Sequence, residues 1–122
     1  MSTSIVYEKS CMFSVMIIKL CKQLYKNKEY ILSKQLLRSG TSIGANIAES
    51  ISAHSKKDFR YKLTIALKEA RETQYWLKIL QESRFADLDY LPYFQQIETL
   101  IRLLCSSTKT IKEQLKDRNP LS

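Results

Sequence analysis

Apolar side chains recur at intervals of three and four along most of this chain, and the polar breaks between runs mark where each helix turns. From about Glu8 to Lys26, the residues Phe13, Met16, Ile17, Leu20 and Leu24 keep that spacing, and Lys19, Lys22 and Lys26 lie on the opposite side. Asn27 is placed to cap a second helix, and the short segment around it leaves room only for a tight reversal, so the first two helices are expected to be antiparallel. The second helix should run to about Ala53. Ser55-Lys56-Lys57-Asp58 then reads as a capping-box-like start for a third helix, with Phe59, Leu63, Ala66, Ala70, Leu77 and Leu80 as its apolar stripe. It should stop near Ser83 or Arg84. Asp87 or Asp89 can cap a fourth helix, which tolerates Pro92 in its first turn. Its apolar period continues through Leu91, Phe94, Ile97, Leu100, Ile101, Leu104, Ile111 and Leu115 until Asn119-Pro120 ends it. Helices of about 30 to 40 Å with short connections predict an all-α protein, an antiparallel up-down-up-down four-helix bundle. A single domain over residues 1–122 is expected.

The second helix departs from the usual amphipathic pattern. Gln35, Arg38, Ser42, Asn46 and Glu49 fall within one narrow sector, which is the spacing of a buried seam written in polar residues. Leu32, Leu36, Ile43, Ile47 and Ile51 occupy one flank, and Gly40, Gly44 and Ala48 another. Between Gln35 and Ala53 the only charges are Arg38 and Glu49. Such a helix has no ordinary solvent face, and a short chain cannot surround one of its own helices completely. A second copy of the chain is the simplest cover, so a homo-oligomer is expected. A membrane span would need about 20 consecutive apolar residues, and Arg38, Asn46 and Glu49 exclude it here.

The third helix carries a matching row, Lys62, Ile65, Glu69, Glu72, Trp76 and Ile79. Folding the two helices together about the loop near His54 places Glu49 near Lys62, and Arg38 near Glu69 or Glu72. A buried charge left unpaired would cost about 3 to 5 kcal/mol, so these groups are expected to pair. Gln35, Arg38, Ser42, Asn46, Glu49, Lys62, Glu69 and Glu72 thus form a polar seam. It is read mainly as a network fixing helix register and subunit packing, and otherwise as a recognition or catalytic cluster.

Composition changes the picture in one respect. With 44% hydrophobic and 26% charged residues, and only 2 Gly and 2 Pro, the chain is globular and rich in helix. Its formal net charge is +8, which favours a polyanionic partner. In an up-down bundle, Lys109, Lys112 and Lys116 return to the end holding His54, Lys56, Lys57 and Arg60. That patch could seat phosphates, or it could simply be a solvated face that maintains solubility.

Catalytic chemistry finds little support. Glu69-x-x-Glu72 lacks the Glu-x-x-His partners of a carboxylate di-iron site, and the only histidine, His54, falls in a loop. No cysteine has a histidine in plausible partnership, and no glycine-rich phosphate loop or nucleophile elbow occurs. Cys11, Cys21 and Cys105 are odd in number and lack CxxC spacing, so they read as reduced, core-filling thiols. No enzyme activity, metal or cofactor is expected. With neither a leader nor a span visible, the cytoplasm is the expected compartment.

The residues Gln35, Arg38-Ser39, Ser42-Ile43, Asn46-Ile47-Ala48-Glu49 and Ser55 are followed by Asp58-Phe59, Lys62, Ala66-Leu67, Lys68-Glu69-Ala70, Glu72-Thr73 and Tyr75-Trp76-Leu77. In that order and spacing they resemble the four-helix-bundle family encoded by intervening sequences in bacterial 23S ribosomal RNA genes. The accessory variability determinant of diversity-generating retroelements is related to that family. The resemblance spans the second and third helices, and the outer two match only in pattern. It implies a ring-like homo-oligomer, typically a pentamer. For the retroelement branch it also implies binding to nucleic acid and to a reverse transcriptase. The expectation is a non-enzymatic oligomer that binds RNA or DNA through Lys56, Lys57, Arg60, Lys109, Lys112 and Lys116. The alternative is a protein-interaction scaffold without nucleic-acid binding.

Overall fold

The computed structural model describes residues 3–118, which form four helices: α1 (Thr3–Lys26), α2 (Leu32–Ile51), α3 (Lys56–Ser83) and α4 (Leu91–Arg118). Successive helices pack on one another and α4 closes back on α1, while the diagonal pairs α1 with α3 and α2 with α4 do not pack. The result is the expected up-down-up-down bundle. Asn119 and Pro120, the expected stop, lie outside the described residues.

Each helix contributes one fully buried stripe to a single core. Phe13, Ile17, Leu20 and Leu24 of α1 meet Leu36, Ile43 and Ile47 of α2, and Leu77 and Leu80 of α3 meet Ile97, Leu100 and Leu104 of α4. Burial at about 25 cal/mol per Å2 of apolar surface is the main force closing the four stripes together. Of the three cysteines, all free, only Cys21 is buried, so core filling holds for that thiol alone.

Two boundaries differ from the sequence expectation for local reasons. α1 starts at Thr3 rather than near Glu8, because Val6 and buried Ser10 continue the stripe of Phe13 and Ile17 backwards. Ser10 keeps the period while looking polar, and its hydroxyl is satisfied by donating to Tyr7 O at 2.6 Å. Asn27 does not cap α2. It extends the end of α1, donating from Nδ2 to Gln23 O at 2.8 Å, and Lys28 then reverses the chain at φ 67°. The start of α2 is instead held by buried Glu29, whose carboxylate accepts from Ser33 N at 2.8 Å while Ser33 Oγ donates to Glu29 O at 2.7 Å. A carboxylate at a helix N-terminus also complements the helix dipole.

The caps of the other helices fall where expected. Ser55 Oγ accepts from Asp58 N at 3.0 Å to begin α3, and Asp89 Oδ1 accepts from Leu91 N at 3.1 Å ahead of α4. α3 ends at Arg84 in the left-handed conformation, φ 51°.

The glycine flank of α2 faces α1 of the same chain. A β-carbon on Gly40 would stand 2.9 Å from Ile17 Cγ2, and one on Gly44 would stand 3.1 Å from Ser10 Oγ. The close approach that these glycines permit is therefore made inside the bundle.

Candidate nucleic-acid interface

The six cations expected to bind phosphate lie on the first turns of α3 and the last turns of α4. Antiparallel packing brings these segments together, and Arg60 ties them by donating from Nε to Thr108 O at 3.2 Å. Thr108 itself is buried and returns its hydroxyl to Leu104 O at 2.9 Å, which fixes the carbonyl that Arg60 reaches. Lys57, Lys109, Lys112 and Lys116 are exposed and Lys56 is half-buried. Among the described residues none of these five ammonium groups lies within 4.0 Å of a carboxylate. Asp58, Glu113 and Asp117 share the same end, so the local field is positive without being uniform. A shallow cleft of about 220 Å3 beside them is lined by Thr3, Phe59, Ser106, Ser107, Thr110, Ile111 and Gln114, and none of the six cations lines it. Exposed ammonium groups of this kind can hold phosphates without reading bases.

The polar seam assembles with the expected partners. Arg38 Nη1 stands 3.3 Å from Glu69 Oε2, and its Nη2 donates to Glu72 Oε2. Arg38 Nε donates to Gln35 Oε1 at 3.3 Å, and Trp76 Nε1 donates to Glu72 Oε2 at 3.0 Å. Lys62 Nζ lies 3.2 Å from Glu49 Oε2. Ser42 and Asn46 turn inward on their own helix, donating to Arg38 O at 2.6 Å and Ser42 O at 2.8 Å.

Within one chain, however, the seam is not buried. The Arg38 side chain is 48% exposed and that of Glu49 61%, because the row lies on the outer rim of the α2–α3 joint rather than beneath it. The partners Glu69 and Lys62 are 22% and 30% exposed, so the pairing carries only part of the desolvation cost expected of buried charges. The buried polar link across this joint is one that the charge pattern does not mark: Thr73 Oγ1 donates to Glu69 O at 2.7 Å and accepts from Ser39 Oγ at 2.9 Å, with Thr73 and Ser39 both fully buried. A hydroxyl on each of two apolar stripes, at matching heights, is the only sequence signal for it.

Elsewhere, burial pushes the Cys21 thiol up to about 11 and raises the Tyr90 and Tyr93 phenols above their ordinary value. Among the described residues, no three or more His, Cys, Asp or Glu side chains gather in a way that could hold a metal ion. No helix is long and apolar enough to cross a membrane, again among the described residues.

With this geometry in view, the family model described as 23S rRNA-intervening sequence protein matches residues 2–106. The chain belongs to this family. The matched span holds all of α2, α3 and the seam, together with Lys56, Lys57 and Arg60, and stops short of Lys109, Lys112 and Lys116. A crystal structure of a protein of unknown function from the S23 ribosomal protein family of Bacteroides thetaiotaomicron is similar at 45% identity and a TM-score of 0.85, covering 89% of this chain and 99% of that one. No curated protein matches. The fold is thus shared with the Bacteroides thetaiotaomicron protein, and the C-terminal half of the basic patch lies beyond the family model.

Proposed function

We propose that this intervening-sequence protein is a non-enzymatic homo-oligomer, a ring-like pentamer by the resemblance, that binds RNA or DNA by its phosphates through one basic end of each bundle. The observation that carries this reading is the Arg60–Thr108 tie, which gathers Lys56, Lys57, Lys109, Lys112 and Lys116 on one end without ion-pair partners among the described residues. Repetition of that end around a ring multiplies weak phosphate contacts through effective concentration. The seam groups serve structure, since Arg38, Glu69, Glu72, Lys62 and Glu49 already satisfy one another. The cytoplasm is the proposed compartment. Service as an accessory to a reverse transcriptase, or to an element within a ribosomal RNA gene, is the proposed setting.

The test is binding of labelled single- and double-stranded RNA and DNA across a salt series, with solution mass measured on the same sample. Each phosphate neutralised should contribute a slope of about −0.7 to −0.9 in log K against log salt. Reversal of Lys57, Lys109, Lys112 and Lys116 to Glu should abolish that slope, and unchanged binding would sink the assignment. The second reading, a scaffold for a protein partner, draws on the exposed apolar side chains of α1, Met12, Val15 and Ile18. It would be favoured by an intact oligomer that binds no nucleic acid at low salt.

A further inference from the structure

The end of the bundle away from the basic patch carries two surfaces that a folded monomer leaves unexplained. The first is the outer groove between α1 and α2. Ile18, Tyr25 and Leu37 form the wall of an apolar cavity of about 600 Å3, and Lys22, Lys26 and Lys34 stand at its rim. Further along α1, Val15 and Met12 are exposed as well, the latter 67%. Soluble monomers rarely leave large apolar patches uncovered. The rim lysines have no carboxylate within 4.0 Å among the described residues, and the nearby acid, Glu29, is buried and spent on capping α2.

The second surface is the α3–α4 turn. Phe85 is 47% exposed and Leu91 58%, beside Glu82, Asp87 and Asp89. Arg84 and Lys78 are the cations there, and Lys78 reaches Glu82 only at 4.0 Å. A cleft of about 350 Å3 opens at this turn, lined by Arg84, Asp87 and Tyr90 among others.

We propose that the oligomer closes head to tail, the lysine-rimmed α1–α2 groove of one copy receiving the acidic α3–α4 turn of the next. The inference rests on the homo-oligomeric reading above and assigns its interface. Two observations favour a second copy as the occupant. Phe85 and Leu91 match the apolar wall, and the carboxylates match Lys22, Lys26 and Lys34. The two surfaces also occupy the same end of the bundle, where Cys21 of α1 lies close enough to Tyr93 of α4 to influence its ionisation. They sit on opposite edges of it, because the diagonal helices do not pack. A two-fold pairing of groove on groove would bring each lysine rim against its own copy. A heterologous contact at constant height gives, where its rotation closes, a ring whose bundles all point the same way. That arrangement collects every Lys56–Lys116 end on one face of the ring.

The experiment is charge reversal with solution mass as readout. K26E/K34E alone and E82K/D87K alone should each weaken association at least about tenfold, since like charges then face across the joint. The combined variant, K26E/K34E/E82K/D87K, should restore the wild-type mass because the complementarity is merely inverted. As a second measurement on otherwise wild-type protein, a photo-crosslinker at Phe85 should capture the segment 18–37 of another copy. Crosslinks confined to other segments, or an oligomer indifferent to both single-sided reversals, would overturn the docking while leaving the oligomeric reading intact. A wild-type protein that is monomeric at every concentration would overturn both.

Discussion

Helix α2 is held by two joints of different character. Toward α1 it presents Gly40 and Gly44 with no charged group, and the backbone approaches until Ile17 and Ser10 occupy the space a side chain would take. Toward α3 it presents buried Ser39 beneath a half-exposed rim of Arg38 and Glu49, answered by Thr73, Glu69, Glu72 and Lys62. One joint is closed by shape, with no room for a side chain at Gly40. The other is closed by pairing, with long side chains that can rearrange. The α1 side should therefore be sensitive to single carbons, and the α3 side to chemistry and salt.

The largest effect that would break this contrast is at Gly40. Gly40→Leu drives a branched side chain into fully buried Ile17 and should destabilise the fold by about 3 kcal/mol, the upper range for overpacking. Gly40→Ala should cost much less, because about 1 kcal/mol of helix propensity offsets the tight contact. Urea denaturation of both variants gives the comparison, and a Leu variant as stable as wild type would mean that the α1 joint is not closed by shape.

The same joint carries a pH signature. Cys21 Sγ donates to Ser33 O at 3.3 Å, and burial holds the thiol up to about 11. An unfolded thiol ionises near 8.5, so above that pH the unfolded chain binds fewer protons than the folded one. The contribution is complete below the unfolded value and is lost as pH rises toward the folded one, up to about 3 kcal/mol at the extreme. Urea melts between pH 8 and 11 should show this loss in wild type and a smaller one in Cys21→Ala. An identical pH profile in the two proteins would remove Cys21 as its source.

On the α3 side the buried hydroxyl pair comes next. Thr73→Val keeps the shape but removes the hydroxyl that meets Ser39, and a neutral buried hydrogen bond contributes about 1 kcal/mol. The loss should be softened because Ser39 Oγ still reaches Leu36 O at 3.4 Å. Chemical denaturation measures it, and a cost as large as that of Gly40→Leu would erase the distinction between the joints.

These joints also show which parts of the structure were legible in the sequence. The helices were, because Leu36, Ile43 and Ile47 or Leu63, Ala66 and Ala70 repeat their period without interruption. The ion pairs were legible too, since opposite charges on adjacent helices at matching heights have few other partners. The depth of the seam was not: spacing locates Arg38 in a sector, but whether that sector lies under or beside α3 depends on how α3 rolls against it. The partner of the glycines was equally hidden, because a small-residue stripe specifies close approach without naming the helix that approaches. Glu29 was missed as the start of α2 because its carboxylate acts from outside the helix on Ser33, a role that a scan for Ser, Thr, Asp or Asn caps does not find. The gathering of the basic residues at one end followed from topology alone, while the Arg60–Thr108 tie depends on a side-chain reach that spacing does not specify.

The smallest effects lie in the seam, and they sharpen the comparison most. Exposed ion pairs contribute about 0 to 1 kcal/mol after desolvation and side-chain entropy are counted. Arg38 meets two carboxylates, so a double-mutant cycle of Arg38→Ala and Glu72→Ala should give a coupling near about 0.8 kcal/mol, the upper part of that range. Lys62 and Glu49 form a single pair with the glutamate mostly in water, and their cycle should give about 0.3 kcal/mol or less, fading as salt is raised. Such values are what a solvated rim predicts. A salt-insensitive coupling above about 2 kcal/mol would instead mean that another copy covers the rim in the assembly, since only a water-excluding environment raises a pair of this geometry so far. The two joints of α2 would then differ in where their cover comes from, with α1 closing one inside the chain and a neighbouring subunit closing the other.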